Sequence, residues 1–158
     1  MYFGNQQFSN PPPVVFLEDD YDRLLDLICA SPRATSGITL LWQELQRGER
    51  VSAFEDGEVV HLGSLVTFTD LMSGQRRAAQ LVAPGVEAER RRLSVTTPDG
   101  AALIGLRAGD TFTWNLDSGA AGALRIDGVT QDPRRRVRRE AARAAARRAR
   151  VRELLSLS

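Results

Sequence analysis

The sequence predicts an α+β protein: a short helical hairpin, a run of antiparallel strands around one short helix, and a basic helical tail. Three observations carry this. Apolar residues between positions 24 and 45 recur at steps of three and four, the period of a helix face. From Glu58 onward the pattern shifts to short strand-like runs separated by Gly, Pro and Ser. Residues 133–158 are dominated by Arg and Ala, both good helix formers.

The elements follow in order. Residues 1–13 are polar and close on three prolines, which predicts a flexible arm stiffened at its end by polyproline conformation. Val14, Val15, Phe16 and Leu17 are an apolar entry to the first helix. Asp19 or Asp20 reads as its N-cap, where carboxylates favour the positive end of the helix dipole. Leu24, Leu25, Leu27 and Ile28 follow at helical spacing, and Ser31-Pro32 stops the helix because a residue before proline avoids helical backbone. A second helix is expected from Ser36 or Gly37, with Ile38, Leu41, Trp42 and Leu45 on one face and Arg47 and Gly48 at its end. Residues 14–53 therefore read as a short antiparallel helical hairpin.

Residues 57–132 read as a second unit. Positions 66–71 are strand-like, Ser73-Gly74 is a turn, and positions 76–82 return as the partner strand. A charged loop over 84–92 leads to a short strand at 93–96. Thr97 then caps a helix with Pro98 in its first position, and Gly105 closes it. Gly109-Asp110 turns into a strand over 111–116. Asp117, Ser118 and Gly119 turn the chain back into a last strand over 123–129. Residues 133–158 form the tail, long enough to hold helix by itself.

The net charge of +1 conceals a split. Residues 1–133 carry 11 Arg against 18 acidic residues, and residues 134–158 carry 10 Arg against two Glu, or −7 and +8. An acidic body with a basic tail points to acidic partners for the tail. Lysine is absent, so Schiff-base chemistry and a lysine phosphate loop are excluded. The single cysteine, Cys29, excludes an internal disulfide and a cysteine-rich zinc site, and fits a reducing, cytoplasmic setting. No apolar run reaches the ~18 residues of a membrane span, so no membrane partner is expected.

The stretch from His61 to Gln131 carries ordered blocks: Gly63-Ser64-x-Val66, Asp70 to Gly74, Leu81-Val82, Leu93-Ser94-Val95, Thr97-Pro98 with Ala101-Ala102-Leu103-Ile104-Gly105, and Ala108-Gly109-Asp110. Together they resemble the C-terminal domain of the Gre transcription elongation factors. That resemblance implies an FKBP-like curved antiparallel sheet wrapped on one short helix. A full Gre factor has a long coiled-coil finger with two acidic residues at its tip, which brings a metal ion to the polymerase active site. Here the first helix has room for only about 12 residues, roughly 18 Å. The loop over 31–37 holds Arg33 and no carboxylate. The short hairpin, the Val14 to Leu17 opening and the Trp114 strand resemble the regulator of nucleoside diphosphate kinase (Rnk) branch. The Arg-rich tail lies outside the resemblance.

The resemblance implies a non-catalytic regulator that binds bacterial RNA polymerase at the secondary channel and competes with Gre cleavage factors. It implies docking through Thr96, Thr97, Pro98 and Asp99, an exposed corner before the short helix. No cofactor or metal is expected. The acidic cluster Glu18, Asp19, Asp20 and Asp22 fits a solvated first helical turn better than a Mg²⁺ site. His61 has no second His to make a metal site. Cys29, beside Ile28, is expected as a small buried hydrophobe. Trp42 and Trp114 are expected in packing, with Trp42 between hairpin and sheet. Gly-x-Ser-x-Gly, Gly-x-x-x-x-Gly-Lys and Gly-x-Gly-x-x-Gly are absent. A prolyl isomerase reading by fold analogy lacks a visible aromatic pocket.

The tail has four readings: a solvated helix, a fold-back contact with the chain's own acidic body, a contact with an acidic protein face, or a sequence-independent contact with nucleic-acid phosphate. The last two would use Arg134, Arg135, Arg136, Arg138, Arg139, Arg143, Arg147 and Arg148. On the nucleic-acid reading the chain is an adaptor whose active part is the tail.

Overall fold

A computed structural model describes residues 11–52, 59–85, 91–131 and 133–156, with the backbone alone over 133–139. Most of the expected arm, the join between the two expected units, and most of the charged loop lie outside the described residues. No helix among the described residues is long and apolar enough to cross a membrane.

The apolar entry is a strand, β1 (Val15–Leu17), which runs directly into helix α1 (Glu18–Ala30). Helix α2 (Ser36–Arg47) follows, and then β2 (Glu49–Val51) pairs in parallel with β1. The sequence hid this small sheet because each strand has three residues and β2 is mostly exposed and charged. The expected N-cap at Asp19 or Asp20 does not form. The cap position is Leu17, with no side-chain cap bond, and Asp20 sits inside the first turn. Asp20 is 2% exposed, and its carboxylate accepts the Leu62 N–H at 3.3 Å. It ties the helix to the second unit instead of capping it.

Helix α2 starts where the sequence places it, after an N-cap at Thr35 whose hydroxyl accepts the Ile38 N–H at 3.3 Å. Ile38, Leu40, Leu41 and Leu45 are buried. Trp42 is not: it is 42% exposed, on the edge of the apolar face rather than in its centre. Cys29 is also exposed, against expectation: the inward positions of that helix are Asp20 and Leu24, and Cys29, five residues after Leu24, falls about 140° round from it.

Five strands form the main sheet: β3 (Leu65–Asp70), β4 (Arg76–Val82), β5 (Arg92–Ser94), β6 (Thr111–Asn115) and β7 (Ala121–Thr130), in the order β5-β4-β3-β7-β6. All neighbours are antiparallel except β4 and β5, which run parallel. A bulge between Thr67 and Phe68 shifts the β3–β7 register and helps the sheet curl. The short helix α3 (Pro98–Leu103) lies between β5 and β6 in the chain. Gly105 follows with φ +83°, a conformation glycine adopts without strain.

One cluster of buried side chains joins both units. It takes Phe16, Leu24, Leu41 and Leu45 from the hairpin side, and Phe68, Leu81, Leu103, Trp114, Leu124 and Ile126 from the sheet and α3. Trp114 is therefore in the core, as expected. Helix α4 (Pro133–Ser156) realises the basic tail as 24 continuous residues.

Candidate functional site

The corner before α3 is built by hydroxyl groups. The Thr97 hydroxyl accepts the Gly100 N–H at 3.1 Å and donates to the Ser94 carbonyl at 2.7 Å. It thereby caps the helix and pins it to the end of β5. Ser94 and Thr96 hydroxyls lie 2.8 Å apart, and the Thr96 N–H donates to Ser94 Oγ at 3.2 Å. Pro98 occupies the first turn, where its missing N–H costs nothing.

Thr96, Thr97, Pro98 and Asp99 are half-buried rather than fully exposed. The cause is α2, whose first turn rests on the corner. A β-carbon built on Gly37 would stand 1.8 Å from the Thr96 carbonyl oxygen, so only glycine permits this approach. The Asp99 carboxylate accepts from Arg77 Nη1 at 3.1 Å, and the Arg77 guanidinium lies 5.4 Å from the Phe68 ring centroid. The sequence reads Gly37 only as a possible start of the second helix and gives neither Gly37 nor Arg77 a role at the corner. Glycine in a first helical turn is a faint sign of close backbone approach. Arg77 reaches the corner because β4 lies beside β5 in the sheet, a neighbour relation that no local pattern reveals.

The turn of the hairpin lies against the same corner. Leu27, Pro32, Arg33, Ile38, Pro84 and Thr96 line a groove of about 390 Å³. Ser36 Oγ and Ser118 Oγ are 3.4 Å apart, joining the start of α2 to the β6–β7 turn. Residues 31–35 hold no carboxylate, and Arg33 and Thr35 are exposed there.

At the other end of α2, Glu44 is 3% exposed. Burial raises its carboxyl pKa above the ordinary 4.5, and the hydrogen bond and charge of Arg47 oppose that rise. Arg47 also donates to the Pro12 carbonyl at 2.6 Å and lies 5.4 Å from the Phe112 ring centroid. The last prolines of the arm are thus held at the foot of α2.

The glycine-serine block at the start of the sheet is structural. The His61 N–H donates to Ser64 Oγ at 2.8 Å, Ser64 Oγ donates to Gln131 Oε1 at 2.8 Å, and Gln131 Nε2 donates to the Val59 carbonyl at 2.8 Å. His61 and Ser64 are buried inside this network. Among the described residues, no group of three or more His, Cys, Asp or Glu is placed to hold a metal ion.

In the tail, Arg143, Arg147 and Arg148 are exposed on α4. Arg134, Arg135, Arg136, Arg138 and Arg139 belong to the stretch described by its backbone, which is helical. The groove beside the corner takes its lining from the hairpin, Pro84 and Thr96, and α4 contributes nothing to it.

Comparison with known proteins matches residues 55–131 to the family model "Transcription elongation factor, GreA/GreB, C-term". The Escherichia coli K12 "Regulator of nucleoside diphosphate kinase" is 34% identical over 119 residues, covering 72% of this chain and 87% of that protein. "Transcription inhibitor protein Gfh1" of Thermus thermophilus is 32% identical over 117 residues, covering 64% of this chain and 67% of that protein. Among solved structures, a GreA/GreB factor from Nitrosomonas europaea superposes with a TM-score of 0.57 at 31% identity, covering 75% of this chain and 98% of that one.

Proposed function

The chain belongs to the GreA/GreB transcription elongation-factor family, and on that premise we propose that it is a non-catalytic regulator that binds bacterial RNA polymerase. It docks through Thr96, Thr97, Pro98 and Asp99 at the secondary channel and competes there with Gre cleavage factors. The observation that carries this reading is the hairpin turn. It has no carboxylate to hold a metal ion, and it lies against the corner instead of projecting beyond it. Delivery of a catalytic Mg²⁺ needs hard oxygen ligands, which residues 31–35 do not supply. The relatives are a regulator and a transcription inhibitor by name, which agrees with control rather than catalysis.

The test is binding to purified core polymerase with the double variant Pro98→Ala, Asp99→Arg. Affinity should fall at least about tenfold, or about 1.4 kcal/mol, as for loss of an interface hot spot. In stalled complexes the parent protein should reduce cleavage driven by a Gre factor and stimulate none itself. Unchanged affinity in a folded double variant removes the corner from the docking surface, and cleavage by the protein alone overturns the reading.

A further inference from the structure

The Arg-rich tail is a continuous helix of 24 residues, about 36 Å long at 1.5 Å per residue. Arg136, Arg139, Arg143, Arg147 and Arg150 occupy positions three or four apart along it. At 3.6 residues per turn these positions fall within about 80° of arc and extend over roughly 21 Å. From residue 140 onward every described position is exposed except half-buried Ala144. Val151, Leu154 and Leu155 are 53%, 60% and 70% exposed. The helix therefore does not use its apolar end to dock on the acidic body. Among the described residues, none of Arg143, Arg147, Arg148, Arg150 and Arg152 is held in an ion pair.

We propose that α4 is a binding site for duplex nucleic acid, gripping the phosphate backbone without reading sequence. The first argument is charge. Residues 134–158 carry +8, and Arg143, Arg147, Arg148, Arg150 and Arg152 are exposed on the helix. A polyanion with evenly spaced charge is the partner that neutralises such a row, through release of condensed counterions. The second is side-chain size. Between the arginines the helix carries mainly alanine, so a helix about 10–12 Å wide meets a major groove about 12 Å wide with no bulky obstruction. The third is what the helix lacks. It has no Asn or Gln to pair with adenine and no aromatic residue to stack a base, so arginine on guanine is the main base contact open to it besides phosphate, and the comparison of two unrelated sequences below separates the two. A membrane surface fits less well, because alanine offers little area to bury in lipid and the larger apolar residues gather at one end. Arginine suits the phosphate role, since its planar fork donates two parallel hydrogen bonds to phosphate oxygens. This site stands apart from the corner before α3, so its failure leaves the polymerase reading untouched.

The test uses the full chain and fluorescence anisotropy with labelled duplexes of about 20 base pairs, roughly two helical turns, in two unrelated sequences. If the five arginines of the row each meet a phosphate, log K against log salt has a slope of about −4.5. Affinity then falls roughly 500-fold between about 50 and 200 mM salt, equally for both sequences. Replacing Arg136, Arg139, Arg143, Arg147 and Arg150 by Gln keeps helix propensity and removes the charge. That variant, with unchanged circular dichroism, should lose at least about 100-fold in affinity at low salt, and its slope should move toward zero. The same five positions changed to Lys should retain the steep slope. No duplex binding by the parent at low salt overturns the proposal, as does undiminished binding by the Gln variant. A strong preference for one sequence also overturns it, as does binding to phosphatidylglycerol vesicles in place of duplex.

Discussion

Replacing Gly37 by alanine tests the contact that joins the hairpin to the corner. Helix propensity alone predicts a gain, since Ala is better than Gly inside a helix by about 1 kcal/mol. The structure predicts the opposite sign. The added methyl group would lie 1.8 Å from the Thr96 oxygen, 2.6 Å from the Thr96 carbonyl carbon and 2.8 Å from the Thr97 carbonyl carbon. These are backbone atoms, and no rotamer change moves them away. Ordinary contact is about 3.5 Å, so α2 or the corner must shift by roughly 1.5 Å or more. Overpacking of this kind costs about 1–3 kcal/mol, and its upper end applies where both sides are backbone. After the propensity gain the net loss is about 2 kcal/mol, or roughly 4–8 °C in Tm for a chain of this size. Gly128→Ala is the control, because the same test at Gly128 finds nothing within 4 Å. That variant should stay within about 0.5 kcal/mol of the parent. Urea unfolding of both variants at equal m-value is the measurement. A Gly37→Ala protein as stable as the parent would refute the close packing of α2 on Thr96.

Two further outcomes follow from single side chains. Thr97→Ala removes both the cap to Gly100 and the bond to the Ser94 carbonyl, and should cost about 1–2 kcal/mol in urea unfolding, with Thr97→Ser restoring most of it. Burial raises the folded-state pKa of Glu44, so the ionised form costs stability above that pKa, and the cost disappears as pH falls toward the ordinary 4.5. The parent should therefore gain stability on a Glu44→Gln variant between neutral pH and about pH 4.5, and a constant difference over that range would show that burial does not control this carboxyl.

The sequence displayed those elements whose periodicity or punctuation is local. Helix α2 declared itself through Ile38, Leu41 and Leu45, and α3 through Thr97 and Pro98. Strands β3 and β4 showed as a hairpin with its turn at Ser73-Gly74, and the structure places the ends within a residue or two. What stayed hidden depends on contacts between distant segments. Asp20 has the look of an N-cap, yet its partner is a backbone N–H 42 positions away. Strand β2 exists only because β1 lies beside it. Trp42 fits the apolar face by spacing alone, but the face is narrower than that spacing allows, and Leu40 fills the buried position. Of the corner residues, the capping role of Thr97 was legible, whereas the Arg77 partner of Asp99 and the pressure of Gly37 on Thr96 were not.

The hairpin is tied to the second unit near both ends, and this decides what a partner at the corner would meet. At the base, Asp20 accepts the Leu62 N–H, while Arg50 stacks 4.7 Å from the Tyr21 ring centroid and steadies the β1–β2 side. At the turn, Gly37 rests on Thr96 and Ser36 faces Ser118. Between these ties the buried cluster runs without a break from Leu24 and Leu41 to Leu103. Swinging the hairpin outward would expose that apolar surface, at about 25 cal/mol for each Å² brought into water. A surface that engages Pro98 and Asp99 therefore also meets the loop over 31–35, with exposed Arg33 in place of a carboxylate. The charge at that edge is opposite in sign to an acidic fingertip, which suits occupation of a docking site and not delivery of a cation.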